Sequence, residues 1–395
     1  MGKYPWSGKR TLEHCGLITK MGVKPRQQGG KCDGFQKSAN DDEPCNICMK
    51  CKLNTFYEIG GKAEMSEAIK HNNVVVFDDR GIPSIMVRFE NPRAAVTPEM
   101  FIIGGKEVDA IYISKYPNKV IKGRAYSLPM VDPTTEITFD EALAACRTKG
   151  EGWHLMTATE WEYVLNESRK KGTLPHGNTD WGNDYYHKEE QGEREGCGYG
   201  RTLTGSGPDT WNHDHTAYGV SDLNGLVWEW LAGVRIVDGV LEYIPNNDAA
   251  LAGCDLSRDS KKWQRITTNQ GGKTAVRVNV EGGEITITDK AAGEDYTPDY
   301  DGVSWEDLKV DLQEIPQALR YLGILPENGV KEEKDTYVWF DATEGEYLPL
   351  RGSGFNPTSH SGPSALYLNS PRSSSYDNVG FRSAFYEVNG KLITE

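Results

Sequence analysis

One stretch of the sequence decides the fold: Tyr218-Gly-Val-Ser-Asp-Leu-Asn-Gly-Leu-Val-Trp-Glu-Trp230. Trp228 and Trp230 alternate around Glu229, which is typical of a strand whose successive side chains point to opposite faces. The two indoles can then enter a core while the carboxylate turns to a polar partner. A buried carboxylate favours a guanidinium as that partner. Arg351 and Arg382 are therefore candidate partners for three acidic residues, namely Glu160, Glu162 and Glu229.

Upstream of this stretch the sequence predicts two helices. Residues 139–148 have helical apolar spacing, with Thr138 as N-cap and Glu141 completing a capping box. A second helix begins near Thr159, capped by Thr157 or Thr159. The Gly-, Asn-, Asp- and aromatic-rich segment 176–226 that follows shows little periodicity, so it is predicted to be a long ordered loop.

Downstream of Trp230 the pattern favours hairpins. Residues 234–243 carry the Asp-Gly turn of a two-residue hairpin, and residues 275–288 repeat this arrangement. A short helix is predicted at 315–323, with Pro near its start and Gly at its end. Near the other end of the chain, residues 74–77 and 85–89 predict one more hairpin within a connector, residues 61–105.

Residues 1–60 hold five of the eight cysteines and few aliphatic side chains. Short Cys-x2-Cys steps allow thiolates to converge on one ion, and a structural Zn²⁺ takes four such ligands. Metal binding would supply folding free energy that so small a core cannot. The sequence therefore predicts a zinc-binding N-terminal module, with unligated reduced thiols as the alternative. The expected ligands are Cys32, Cys45, Cys48 and Cys51.

Charge and hydropathy exclude several functional classes. The 395 residues include 44 Lys and Arg against 58 Asp and Glu, a formal net charge of −14. Nucleic-acid binding needs a basic face, which this composition does not offer. No run of 18 apolar residues predicts a membrane-spanning helix. The first residues lack an apolar core of the kind that signal peptides carry, so we expect cytoplasmic synthesis without a signal peptide.

The C-terminal segment 352–386 departs from the rest of the chain in composition. It contains no Lys, Glu, Gln, Trp or Met and is rich in Ser, Asn, Gly and Tyr. A flexible Ser-rich linker is one interpretation. Strand-like apolar residues at 365–368 and 379–382 argue against it, because they would anchor the loops between them. Small polar side chains and Tyr on anchored loops are typical of adaptable binding surfaces.

Several motifs together resemble the formylglycine-generating-enzyme-like branch of the C-type lectin fold. They are the strand at 111–116, Gly152–Tyr163 with its Thr-x-x-Glu-Trp-Glu helix start, the stretch ending Val-Trp-Glu-Trp, and Gly-Phe-Arg at 380–382. The resemblance covers about 106–390 and implies an α+β domain of that fold, with an insert at 231–345. Enzymes of this family bind copper through a cysteine pair near the C-terminal end. Since no cysteine follows Cys254, a non-catalytic protein is expected, and an oxidase is the disfavoured alternative.

Residues 351–385, which we call the variable segment, resemble the variable region of proteins diversified by retroelements. In that family, adenine-directed mutagenesis changes Asn-type codons into others, but never into those of the five missing residue types. The resemblance implies a fixed frame of Arg351, Gly352, Leu366, Leu368, Arg372, Gly380, Phe381 and Arg382. The scaffold expected from the lectin-fold motifs adds Glu160, Trp161, Trp228, Glu229 and Trp230. The resemblance to diversified proteins also implies thirteen diversified, ligand-binding positions: Gly354, Asn356, Pro357, Ser359, His360, Ser364, Tyr367, Asn369, Ser370, Ser374, Tyr376, Asp377 and Asn378.

The expected function is ligand or receptor binding by a diversified surface. The resemblance favours a place on a phage virion, in the tail, with residues 1–105 contacting virion proteins and a protein or glycan of a bacterial cell surface as ligand. A cellular diversified binding protein is the alternative. A homo-oligomer is expected by analogy, and no organic cofactor is. Whether a calcium ion binds within 176–226 stays open.

Overall fold

The computed structural model describes residues 72–196, 200–268, 274–325, 333 and 336–387, together with the backbone of 27–28 and 31–32. Its helices are α1 (Phe139–Arg147), α2 (Ala158–Lys171) and α3 (Gln317–Tyr321). The strands in the first part of the chain are β1 (Gln27–Gln28), β2 (Lys31–Cys32), β3 (Asn73–Phe77), β4 (Pro83–Glu90), β5 (Ile102–Ile103), β6 (Lys106–Glu107), β7 (Ala110–Ser114), β8 (Asn118–Ile121), β9 (Arg124–Ser127) and β10 (Trp153–Leu155). The later strands are β11 (Trp228–Trp230), β12 (Val234–Val237), β13 (Val240–Tyr243), β14 (Gln264–Arg265), β15 (Thr267–Thr268), β16 (Thr274–Ala275), β17 (Arg277–Glu281), β18 (Glu284–Thr288), β19 (Tyr300–Ser304), β20 (Lys309–Asp311), β21 (Tyr337–Asp341), β22 (Glu346–Arg351), β23 (Leu366–Pro371), β24 (Val379–Phe381) and β25 (Ser383–Tyr386).

The smaller of the two main sheets joins the beginning and the end of the described chain. Its strand order is β10-β25-β7-β4-β3, with every pair antiparallel. The predicted hairpin at 74–77 and 85–89 is confirmed as β3 and β4. Val87 pairs with Ile113 of β7, so this hairpin is built into the sheet of the main domain.

The larger sheet carries the strand of the variable segment. Its order is β19-β21-β23-β22-β12-β13-β17-β18-β20, with β11 bridging β22 and β24. The predicted hairpins at 234–243 and 275–288 are confirmed, as β12–β13 and β17–β18. β23 lies between β21 and β22, so the region 231–345 flanks the variable strand directly.

The helix predictions are confirmed at their N-terminal caps. Thr138 and Glu141 form the expected capping box of α1. Thr157 caps α2 and forms a second capping box with Glu160, because Thr157 is extended while Glu160 occupies the third helical position. Gly172 ends α2 with a φ of 67°, a left-handed conformation that favours glycine.

The core has two main parts, one on each face of the larger sheet. Leu366 and Leu368 of β23 enter the first part, while the intervening Tyr367 packs against the second. The second part contains Trp228, Trp230 and the other apolar side chains around α1. The architecture is mostly β with few helices, at the β-rich end of the predicted α+β class.

Most of the predicted zinc ligands lie outside the residues that the structure describes. Cys45, Cys48 and Cys51 lie outside the described residues, and only the backbone of Cys32 is described, in β2. Of the cysteines beyond residue 60, Cys146 and Cys254 are buried free thiols. No helix in the described part of the chain is long and apolar enough to cross a membrane.

Candidate ligand-binding surface

The scaffold behind the variable segment is held by a buried ion pair at the parallel pairing of β11 and β24. Arg382 donates from Nε to Glu229 Oε2 at 2.7 Å and from Nη2 to Glu229 Oε1 at 2.5 Å. The guanidinium also donates to backbone carbonyls, including that of Ser114 at 3.2 Å. Burial raises the pKa of Glu229, and Arg382 opposes that shift. This pair confirms that the carboxylate between the two tryptophans faces a polar partner.

A second buried ion pair reaches the base of the variable segment. Arg351 donates to Glu162 at 3.0 Å and to the Gly323 carbonyl at 2.6 Å. The other oxygen of Glu162 accepts from Arg169 at 2.5 Å, and Arg169 also donates to the Ser364 hydroxyl at 2.6 Å. Burial lowers the pKa of Arg351 to about 10, although Glu162 favours its charged form.

The third acidic candidate pairs with a histidine instead of an arginine. Glu160 Oε1 lies 2.8 Å from His154 Nε2 and accepts from Asn247 at 2.8 Å. Next to it, the Trp161 indole donates to the Pro363 carbonyl at 3.0 Å and so holds a loop of the variable segment from inside the core. Trp161 is fully buried, and both tryptophans expected in the core, Trp228 and Trp230, are buried as well.

The variable segment has a first loop, 352–365, between β22 and β23, and a second loop, 372–378, between β23 and β24. Arg372 anchors the second loop. Its guanidinium donates to both oxygens of Glu346 at 3.0 Å and to Asp140 at 2.7 Å, and it lies over the Phe139 ring. These hydrogen bonds and charges raise the pKa of Arg372 against the effect of burial. Arg372 is therefore held by side chains that lie outside the variable segment.

The thirteen predicted variable positions divide by exposure. Four are exposed, namely Asn356, His360, Tyr376 and Asp377. Six are partly exposed: Pro357, Ser359, Tyr367, Asn369, Ser374 and Asn378. Three are buried, so the expectation of a solvent-facing side chain is wrong for Gly354, Ser364 and Ser370. Their burial has local causes, because Gly354 packs against Trp228, Ser364 accepts from Arg169, and Ser370 lies on the core face of β23.

The backbone of the variable segment is fixed by groups outside it. The carbonyls of Tyr376, Asp377 and Asn378 accept from Glu136 N, from the Arg201 guanidinium and from Trp228 N, at 2.8–3.0 Å. The first loop is held in the same way, since Trp181 N donates to the Phe355 carbonyl at 2.8 Å and Thr358 N donates to the Thr179 carbonyl at 3.1 Å. These bonds do not depend on which side chains occupy positions 356–360 or 376–378.

A continuous group of rings, which we call the aromatic strip, runs beside the first loop. Neighbouring ring centroids are 5.4, 5.1, 5.3 and 3.9 Å apart along it. Exposure increases from Trp228, which is 7% exposed, to an exposed histidine at the other end. The strip consists, in order, of Trp228, Tyr367, Trp339, Tyr337 and His360.

A second aromatic group flanks the same loop. Trp181 is 48% exposed and packs edge-on against Phe355 with centroids 5.1 Å apart. Tyr186 is 62% exposed, and its hydroxyl donates to the Ser359 carbonyl. The exposed variable side chains around positions 356–360 are therefore bordered by fixed aromatic residues on both sides.

The sequence reasoning missed the aromatic residues that lie outside the variable segment, chiefly Tyr186, Tyr337 and Trp339. One signal was present in the stretch Tyr337-Val-Trp-Phe340. It alternates like a strand and would place the rings of Tyr337 and Trp339 on one face. No signal tied this strand to the variable segment, since β21 and β23 pair in parallel across a connection of more than twenty residues. Within the described residues, no group of three or more His, Cys, Asp or Glu side chains is arranged to hold a metal ion.

The fold and the surface together define a class of protein: a β-rich scaffold that presents a C-terminal loop segment. The model of the sulfatase-modifying factor enzyme 1-like domain matches residues 114–385, and the chain belongs to this family. The predicted resemblance to formylglycine-generating enzymes is thereby confirmed. A search of curated proteins gave no significant match.

Among solved structures, the chain is similar to variants of a protein called Major Tropism Determinant. The U1 variant is 16% identical with a TM-score of 0.27, over 77% of this chain and 56% of that one. The I1 variant is 14% identical with a TM-score of 0.28, over 80% and 61%. PvdO from Pseudomonas aeruginosa is 14% identical with a TM-score of 0.33, over 80% and 98%. The match thus spans less than two thirds of the length of either determinant variant.

Proposed function

We propose that the chain is a non-catalytic binding protein whose variable segment is diversified by retroelement mutagenesis. One observation carries the proposal: the backbone of the variable loops is bonded to fixed groups, while the side chains at 356, 360, 376 and 377 face solvent. Such loops can exchange side chains without losing their conformation. The missing residue types in this segment are those that adenine-directed changes of Asn-type codons do not produce.

The gene itself tests the diversification. We expect a reverse transcriptase gene nearby and a near-repeat of codons 351–385 that differs only at adenines. Codons for Ser, Tyr and Asp that do not derive from a template by adenine changes would contradict the proposal. The genes that flank this one also separate a phage origin from a cellular origin.

Binding would use side chains at the diversified positions together with side chains outside the variable segment. Tyr and Trp supply large contact areas with few rotatable bonds, and small polar side chains adapt their hydrogen bonding. The fixed aromatic residues on both sides of the first loop would contribute affinity, and the exposed variable residues would contribute specificity. Replacing Asn356, Tyr376 and Asp377 together with Ala should abolish target binding and leave the melting temperature unchanged. A matched triple replacement at exposed residues away from the binding surface, Val96, Lys290 and Val310, should leave binding intact.

Two cysteines within the matched domain are relevant to the alternative function, a copper-dependent oxidase. Cys146 and Cys254 are buried, and burial raises the pKa of each. A thiol held protonated in this way is a poor metal ligand and nucleophile. Oxygen uptake by the purified protein in the presence of copper would favour the oxidase instead.

We further propose that the target lies on a bacterial cell surface, as a protein or a glycan. The chain would belong to a phage tail, as a homo-oligomer attached through residues 1–105. Immunogold labelling of purified virions tests this placement, and label absent from the tail would favour the cellular alternative.

Residues 1–105 would also carry the structural zinc, bound by Cys32, Cys45, Cys48 and Cys51. Elemental analysis of the full chain should then find about one zinc per chain, lost in a Cys48→Ser, Cys51→Ser variant, and calcium in the same measurement would point to 176–226.

A further inference from the structure

Trp339, at the centre of the aromatic strip, lies flat across the neighbouring strand. Its cross-strand partner is Gly302 of β19. A Cβ placed on Gly302 would lie 2.2 Å from Cδ1, 2.2 Å from Nε1 and 2.8 Å from Cγ of Trp339. Such similar distances describe a point above the plane of the pyrrole ring, since a point beside its edge would be much farther from Cγ. One face of the indole therefore covers the backbone of β19, and the other is directed away from the sheet.

The two neighbouring rings tilt against this indole from both sides. Tyr367 makes an angle of 44° with Trp339 at 5.1 Å, and Tyr337 makes an angle of 39° at 5.3 Å. All three side chains are partly exposed. At the outer end, His360 stacks on Tyr337 at 3.9 Å and 24°. The result is a shallow surface of ring faces instead of ring edges.

The groups that border this surface are amides. Asn369 follows Tyr367 on the same face of β23, and its Oδ1 is buried beneath this surface without a hydrogen-bond partner. Asn378 lies near Gly354, which packs against the Trp228 end of the strip. The strip itself contains no acidic side chain, Lys or Arg, and the net charge of −14 disfavours an acidic ligand. A suitable ligand therefore combines an apolar face with uncharged hydrogen-bonding groups.

We propose that the aromatic strip is a subsite for a neutral saccharide. The C–H face of a pyranose ring would pack on Trp339, and its hydroxyls would pair with neighbouring amides. The proposal rests on the proposed binding function and specifies its ligand class. Trp339 and Tyr337 lie outside the variable segment, so every diversified form would retain the stacking surface. Tyr367, Asn369 and His360 would change, and with them the choice among saccharides.

Neutral oligosaccharides provide the test on the full chain. Tetrasaccharides of N-acetylglucosamine, mannose, galactose and glucose are titrated while tryptophan fluorescence and saturation-transfer NMR are followed. We expect saturable binding of at least one of them, with a Kd at least about tenfold weaker in Trp339→Leu, which keeps apolar bulk but removes the ring. The control is Tyr300→Leu, an aromatic residue that is 63% exposed on β19 outside the strip, and its Kd should not change. If the melting temperature of Trp339→Leu falls strongly, Tyr337→Leu replaces it.

The outcomes separate this inference from the proposed function. Absence of saturable binding to all four sugars, or unchanged binding by the variants of the strip, overturns the saccharide subsite. A protein receptor bound through Asn356, Tyr376 and Asp377, without sugar binding, would do the same and leave the diversified surface in place. Sugar binding that persists while those three residues prove irrelevant to every target would overturn the diversified surface and support the subsite.

Discussion

Arg382 and Glu229 form a two-hydrogen-bond ion pair in which neither side chain is exposed to solvent. The pair lies where β24, at the end of the variable segment, runs parallel to β11, and Glu229 is directly opposite Gly380 in that pairing. The carbonyls of residues 114, 115, 221 and 222 accept the remaining guanidinium hydrogen bonds. This pair therefore ties the variable segment to the smaller sheet and to the long loop.

The Glu229→Gln variant should be strongly destabilised, because it leaves the Arg382 charge buried without a counter-ion. We expect a loss of about 3–5 kcal/mol in the free energy of unfolding, measured by urea denaturation. The control is Asp109→Asn at the exposed pair with Arg93, which should change stability little. Equal stability of Glu229→Gln and the unchanged protein would mean that the pair adds nothing to the scaffold.

Ser364 should tolerate diversification poorly, although it lies in the variable segment. Its side chain is fully buried and accepts from Arg169. A Ser364→Tyr variant should lose about 1–3 kcal/mol or more of stability through overpacking. Asn356→Tyr, at an exposed position, should stay within about 0.5 kcal/mol. Sister copies of the gene should accordingly keep a small residue at 364, and a frequent Tyr there would contradict this prediction.

Gly352 should be irreplaceable at the start of the first variable loop. Its φ is 84°, and a Cβ would lie 2.6 Å from the Leu223 carbonyl and 2.9 Å from the Trp161 ring. Gly352→Ala should therefore cost more than about 3 kcal/mol, from strain and overpacking together. Gly123 provides the matched control, with a φ of 74° and no atom within 4 Å of its Cβ position. Gly123→Ala should cost only about 1–2 kcal/mol, and equal losses would assign the whole effect to φ.

His213 should make stability depend on pH. It is buried, its Nδ1 accepts from Val220 N at 2.8 Å, and burial lowers its pKa to about 4. Between that value and about 6.5 the unfolded chain binds a proton that the folded chain excludes, so the free energy of unfolding falls as the pH falls.

The variant for this test is His213→Asn, whose Oδ1 can accept the same hydrogen bond but does not titrate. Relative to it, the unchanged protein should lose about 2–3 kcal/mol between about pH 7 and pH 4.5. Burial also raises the pKa of Asp222 to about 6, but that residue is present in both proteins and its effect cancels. Parallel pH profiles of the two proteins would contradict the assignment.

Local patterns in the sequence were sufficient for the elements that position the surface. Thr138 and Glu141 predicted the start of α1, because a capping box uses only residues three positions apart. The alternation of Trp228, Glu229 and Trp230 predicted a strand whose indoles enter a core and whose carboxylate faces a polar partner. The composition of 352–386 set the variable segment apart, since the residue types that a segment lacks can be counted without knowledge of the fold.

Tertiary structure decided what alternation and composition leave open. The sequence left Arg351 and Arg382 as candidate partners of three carboxylates. Packing of α2 brings Glu162 to Arg351 and Glu160 to His154, and the pairing of β11 with β24 brings Glu229 to Arg382. Burial of Ser364 and Ser370 also depends on what packs against them. The aromatic strip was beyond prediction, because Trp339 and Tyr367 meet only through the parallel pairing of β21 with β23. Spacing along the chain specifies which face a side chain occupies, whereas its neighbours across a sheet depend on which strands the whole fold brings together.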